Sequence, residues 1–273
     1  MSRALNVVED FERIACAVVS EAGMLVRSRW QHRKKEVAYK GAIDLVTETD
    51  RDVEGLVVER LQRAFPAHLI VAEEASATTP PRPPAADRYV WYLDPLDGTT
   101  NFAHTYPQFC VSLALSRGSQ LLFGIVYDPV RAETFTARRG RGARLNGQPI
   151  RVSPLADLDR ALLATGFPYD RQEHVDFYLS FFADFMACTQ GIRRSGSAAL
   201  DLCYVACGRF DGFWEWKLHP WDTAAGALIV REAGGSVTDF RGGPFDLYGA
   251  QTLATNDRLH AAMVSLLTAR LDG

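Results

Sequence analysis

Residues 88–93, Arg-Tyr-Val-Trp-Tyr-Leu, form an almost unbroken apolar run that ends abruptly in Asp94-Pro95-Leu96-Asp97-Gly98-Thr99-Thr100. That run predicts a strand. Two aspartates follow where the apolar stretch stops, at a sheet end, where sites are usually built. Pro95 fixes φ and Gly98 permits a tight backbone path, so the two acids can converge. Clustered carboxylates are oxygen ligands of the kind that Mg²⁺ takes. A helix starting after Gly98 would turn free N–H groups toward a phosphate. The same string also fits a turn whose aspartates cap backbone amides, and the residues alone leave both readings open.

Two further acidic groups share this placement. Glu73-Glu74 follow Leu-Ile-Val-Ala, and Asp222 follows His-Pro-Trp and opens an apolar helical stretch ended by Gly234-Gly235. By themselves they read equally as a solvated pair and a first-turn cap. Asp44, Thr47 and Asp50 read as the entry to a helix. His219, three residues before Asp222, reads as a packing residue. Arg193-Arg194 read as a solvated basic pair or a holder of a second phosphate.

Apolar residues at helical spacing (Val7, Phe11, Ile14, Ala15, Val18, Val19, Ala22) predict a long amphipathic helix over about 6–30. A second helix is predicted from Asp50 to Pro66. Strands are expected at 88–93, either side of Gly118, at 133–137 and at 143–145, with a turn at Asn146-Gly147. The second half predicts a strand at Ala161–Phe167, a helix over about 174–187, a short strand at 191–193, a helix over about 197–208, the strand DGFWEW and a helix near Trp221. Strands and helices mix throughout, which indicates an α/β or α+β chain with layered sheets. The Pro-rich segment 77–87 reads as an exposed extended connection.

The chain has 273 residues, is 47% hydrophobic and 23% charged, and carries a formal charge of −3. An acidic total speaks against nucleic acid as partner. No segment approaches the ~20 apolar residues of a membrane span. Five cysteines with no Cys-x-x-Cys pair fit a reducing, cytoplasmic setting, and Cys203 and Cys207 read as buried thiols.

Taken together and in order, Glu73-Glu74, DPLDGTTNF (94–102) and WDTAAG (221–226) resemble the inositol monophosphatase family over nearly the whole chain. DLVTETD, IRRSGSAALDL and REAGG resemble that family's strings too. The resemblance implies one domain, 1–273, folded as an α-β-α-β-α sandwich. Its N-terminal half, about 1–150, carries the metal motifs, and its C-terminal half, about 151–273, carries the WD motif and substrate pocket. It implies a Mg²⁺-dependent phosphomonoesterase, lithium-sensitive and homodimeric, acting on inositol monophosphate. Related substrates are fructose 1,6-bisphosphate, histidinol phosphate and 3′-phosphoadenosine phosphates; a regulatory role without hydrolysis is the reading of another class. By resemblance, Glu73, Asp94 and the Leu96 carbonyl hold one ion, and Asp94, Asp97 and Asp222 hold a second. A third, weaker position lies near Glu73, giving two to three Mg²⁺. Gly98 and Thr99 cradle the phosphate, Asp50 and Thr99 orient the attacking water, and Glu215 with Gly196, Ser197 and Ala198 forms the substrate pocket for a small phosphorylated polyol or sugar. The chain departs from the family at Ala72 and Ala75, which flank the glutamates, and Lys40 is offset from the family's lysine.

Overall fold

The computed structural model describes residues 2–30, 37–39, 45–76, 82–83 and 87–273. Asp44, Lys40 and nearly all of the Pro-rich segment lie outside them. The N-terminal half contains α1 (Ser2–Trp30), β1 (Val37–Tyr39), β2 (Leu45–Thr47), α2 (Glu48–Ala64), β3 (Leu69–Ala72), α3 (Glu73–Ser76), β4 (Tyr89–Asp97), α4 (Thr99–Ala103), β5 (Cys110–Arg117), β6 (Gln120–Asp128), β7 (Glu133–Arg138), β8 (Ala143–Leu145) and β9 (Gln148–Pro149). The C-terminal half contains β10 (Leu162–Thr165), α5 (Val175–Cys188), β11 (Gly191–Arg193), α6 (Ala198–Ala206), β12 (Gly212–Trp216), α7 (Pro220–Glu232), β13 (Ser236–Thr238), β14 (Gln251–Thr255) and α8 (His260–Asp272).

Strands β3 to β9 form a seven-stranded sheet in chain order, parallel only between β3 and β4. The second sheet has the order β11-β10-β12-β14-β13, with β10 parallel to both of its neighbours. The pleat of β4 explains why its apolar run does not alternate. Trp91 and Leu93 pack with Phe11, Val19 and Val57 under α1 and α2. Val90 and Tyr92 pack on the other face with residues of α6 and α7. Phe213 and Ala254 of the second sheet close that middle core. The far face of the second sheet packs Leu163, Trp214 and Leu253 against Phe181 and Phe185 of α5 and Met263 and Leu267 of α8. The result is five layers, α-β-α-β-α, with α6 and α7 shared between the two sheets.

Close approach of that shared layer depends on small residues. A Cβ at Gly124 of β6 would stand 3.0 Å from the backbone of Ala225 in α7. Elements not anticipated include β1, β2, α3, β13, β14 and α8. Strand β4 also runs on through Asp97, past the end at Leu93 that its apolar residues indicate. All five cysteines are free; Cys203 is buried, whereas Cys207 is only partly so. Among the described residues no helix is long and apolar enough to cross a membrane.

Candidate active site

In a regular strand, side chains three positions apart point to opposite faces. Asp94 and Asp97 escape this because the β4–β5 register shifts between them: Asp94 opposes Ser112, but Asp97 opposes Cys110. The extra residue in β4 is a bulge, and it holds Pro95, which has no amide to offer the ladder. The bulge brings both aspartates to one side. Gly98 then turns the chain at φ +97, where a Cβ would lie 2.7 Å from the Gln108 carbonyl oxygen, so only glycine fits. Helix α4 begins at once, so the amides of its first turn have no partner within the helix.

These groups open on a cavity of about 600 Å³ lined from both halves of the chain. Glu73 reaches it from the first turn of α3, Asp222 from the first turn of α7, and Glu215 from β12. Every residue that the resemblance assigns to the site lines this cavity except Asp50, which stands behind it; of the pairs Glu73-Glu74 and Arg193-Arg194, only Glu73 and Arg194 line it. Asp50 is buried, accepts the Thr47 amide at 2.9 Å and the Thr47 hydroxyl, and accepts the Thr99 hydroxyl at 2.9 Å. It therefore caps α2 and holds Thr99 together. The Thr99 hydroxyl is also 3.0 Å from the Leu96 carbonyl oxygen.

The acids press on one another. Burial pushes Asp94 well above the usual carboxylate range, and Glu73, Asp97 and Asp222 push it further. Asp222 is raised by burial, then by Glu73 and Asp97. Burial raises Asp97 as well, but hydrogen bonds oppose it. Its Oδ2 accepts the Ser197 hydroxyl and the Ala199 amide, both at 2.7 Å, so the start of α6 grips a carboxylate of the other half. The Cys110 thiol is 3.7 Å from the same oxygen. Asp222 Oδ2 accepts the His219 amide at 2.7 Å, which closes the first turn of α7, and the His219 ring stacks on Trp221.

Glu215 is pushed up to about 8 by burial and by Asp97, with Arg194 opposing. Its carboxylate packs where a side chain at Gly166 would sit. Asp201 lies beside it, buried and raised by burial and by Glu215, with Oδ1 unpartnered. Asn101 ties the two halves: its Nδ2 is 2.7 Å from the Gln108 carbonyl oxygen, 2.9 Å from that of Ser195 and 3.2 Å from that of Gly196. Asn101 and Asp201 were not singled out from the sequence, although both sit inside the family-like strings. Glu54 was missed too; its carboxylate accepts the amides of Glu74 and Ala75 and so sets the turn that carries Glu73.

Among the described residues no three His, Cys, Asp or Glu side chains close into a ready cage. The donor set still fits a hard divalent cation. It is built of carboxylates and a carbonyl, and four mutually repelling acids need positive charge to approach one another. Acids about 4 Å apart repel by about 4 kcal/mol per pair at a dielectric near 20.

The whole layered arrangement has known counterparts. Residues 7–271 match the model of the inositol monophosphatase family. An inositol-1-monophosphatase of Synechocystis sp. is 46% identical over 263 residues, covering 96% of this chain and 90% of its own. A protein of Pseudomonas aeruginosa named Nus factor SuhB is 46% identical over 261 residues, covering 94% and 96%. The solved inositol monophosphatase of Anabaena (Nostoc) sp. superposes with a TM-score of 0.84 at 40% identity, covering 96% of both chains. The fold is thus that of a class of metal-dependent phosphatases. The chain belongs to the inositol monophosphatase family.

Proposed function

We propose that this chain hydrolyses the phosphate monoester of a small polyol, inositol monophosphate foremost, to the free polyol and inorganic phosphate. The observation that carries the reading is the group of four acids, Glu73, Asp94, Asp97 and Asp222, drawn from three elements to one cavity wall beside the tight turn at Gly98. Glu73, Asp94 and the Leu96 carbonyl would hold one Mg²⁺, and Asp94, Asp97 and Asp222 a second, with Glu73 near a third. When bound, Mg²⁺ supplies an acidified water and offsets charge growing on the leaving oxygen.

The chain's own residues do the rest. Backbone amides at Gly98 and Thr99 receive the phosphate oxygens. The Thr99 hydroxyl, fixed by Asp50 Oδ1, orients the attacking water, and Asp50 takes up its proton through that hydroxyl. Glu215 contacts the polyol hydroxyls, and the turn Gly196-Ser197-Ala198 shapes the wall beside it. Positioning and charge neutralisation carry the catalysis, as phosphoryl transfer requires.

The test is phosphate release from inositol 1-phosphate, with Mg²⁺ and with the metal chelated. Rapid release that chelation abolishes supports the reading. Release unaffected by chelation overturns the metal assignment. A fructose bisphosphate, histidinol phosphate or phosphoadenosine phosphate turned over far faster than inositol 1-phosphate would displace the substrate. Millimolar Li⁺ should inhibit.

Relatives that carry the name Nus factor favour a second, non-hydrolytic role. An Asp222→Asn variant that keeps such a role while losing turnover would separate the two. The same reading takes residues 1–273 as one cytoplasmic domain with a small-molecule substrate, no membrane and no nucleic acid. It is a homodimer in this reading, and Val175, Phe177, Leu179 and Met186 on α5 are apolar and exposed.

A further inference from the structure

A second hollow, of about 410 Å³, shares no residue with the cavity above. It lies where α1 stops covering the seven-stranded sheet. In the β7–β8 pair, Thr136 opposes Arg144 and Ala137 opposes Ala143. The alternation sends Phe135, Ala137 and Ala143 into the middle core. Thr136, Arg138 and Arg144 therefore stand on the other face, with Arg141 at the tip of the hairpin and Glu12 of α1 across from them.

The charge balance of this hollow is one-sided. Arg138 lies 3.9 Å from Glu12. Arg144 donates to the Gly147 carbonyl at 2.9 Å, a neutral acceptor. The Arg141 side chain has no partner among the described residues. The nearby carboxylate of Glu232 accepts three backbone amides, those of Gly140, Arg141 and Gly142, at 2.8, 3.1 and 2.8 Å, and makes no ion pair with these arginines among the described residues. Those three bonds also fix the hairpin tip. Next to Glu232 in the chain, Arg231 has its pKa lowered by desolvation and then by the charge of Arg139. A rigid tip thus gathers guanidinium groups in a protein whose total charge is negative.

Guanidinium forks match phosphate oxygens in pairs, and arginine is the residue of choice for that recognition. The volume falls within the range of small-molecule sites. Nucleic acid calls for an extended basic face, which a single hollow bounded by Glu12 does not offer. We propose that this hollow binds a phosphate-bearing small molecule, gripped by Arg141 and Arg144 and walled by Arg138 and Thr136.

The full chain is titrated with inorganic phosphate by calorimetry after removal of divalent metal, when the acids of the catalytic cavity repel anions. Saturable binding is expected, weakened at least ~10-fold in an Arg141→Gln/Arg144→Gln variant, since each charged hydrogen bond lost is worth about that. Asp97→Asn should bind phosphate as the parent does. An Arg144→Lys variant, which keeps the charge and loses the fork, should fall between. Circular dichroism melts must match, and Arg141→Gln alone, at an exposed tip, serves if the pair does not fold. Absence of saturable binding in the parent, or equal affinity in the arginine variants, overturns the proposal. So does tight binding of a short single-stranded RNA that phosphate fails to displace, which would assign the arginines to nucleic acid.

Discussion

Asp97 shows how a single carboxylate serves two purposes. Its charge belongs to the acid cluster, while its Oδ2 anchors the start of α6 through Ser197 and Ala199. Asparagine keeps an oxygen for those donors and loses the charge. Asp97→Asn should therefore abolish Mg²⁺-dependent phosphate release and leave the melting curve of the metal-free protein unchanged or higher; calorimetry and a turnover assay decide it. Ser197→Ala removes one donor and leaves the acid in place. A loss of about 10- to 100-fold in metal affinity is expected, as for other groups that orient a ligand, read by Mg²⁺ titration of turnover. The acids stood out in the sequence because each sits at the end of an apolar run, but their part as ligands came only with the family resemblance. Asn101 and Asp201 did not stand out, because their meaning lies in partners far away: Asn101 reaches Ser195 and Gly196, more than ninety residues on. No local pattern marks such a bond.

Elements were legible where burial is two-sided or strictly periodic. Helix α1 and the β5–β6 hairpin announce themselves through spacing and through Gly118. Strand β4 was read short because its last four residues, Asp94-Pro95-Leu96-Asp97, look like a turn; pairing with β5 across a bulge keeps them in the sheet. Strands β13 and β14 are short, and the pairing that defines them is with one another and β12. The bulge makes the site depend on count as well as chemistry. Deleting Leu96 would leave the two aspartates two positions apart on one face of a regular strand, but it would remove the Leu96 carbonyl and the amide that Asp94 Oδ1 accepts at 2.9 Å, so that every acid is present and turnover is lost. At the α7 contact, Gly124→Ala pushes a methyl to 3.0 Å from Ala225. Overpacking of this kind costs about 1–3 kcal/mol, so the melting temperature should drop. Because α7 carries Asp222, the Mg²⁺ requirement should rise in the same variant, whereas a defect confined to stability would leave it unchanged.

Across the whole molecule, the raised acids tie stability to pH. A carboxyl whose folded pKa exceeds its unfolded value contributes stability that is present at low pH and lost as pH rises through the folded pKa. For Glu215 that window runs from the ordinary glutamate value to about 8. The metal-free protein should accordingly melt at lower temperature at pH 8 than at pH 5.5, and Glu215→Gln should flatten the slope. His68 works in the other direction. It is stacked between Phe65 and Tyr89 and accepts the Trp91 indole N–H at 3.1 Å, and burial lowers its pKa. Its contribution is present above the ordinary histidine pKa and lost on acidification below it. Saturating Mg²⁺ should raise the melting temperature, with about 2.7 kcal/mol gained at a hundredfold excess over its dissociation constant. The gain should be larger at pH 8 than at pH 5.5, since more acids then need a counter-charge.

The shared helical layer also has a consequence in time. A ribosome completes Asp97 125 residues before Asp222, and the α6 amides that grip Asp97 come only shortly before the latter. At ~5–20 residues per second, roughly 6 to 25 seconds separate the first half of the site from the second. Through that interval the nascent chain carries an acid cluster without the helix starts that complete it. On the proposed function, activity would arrive late in synthesis, and a fragment released early would have none to misdirect.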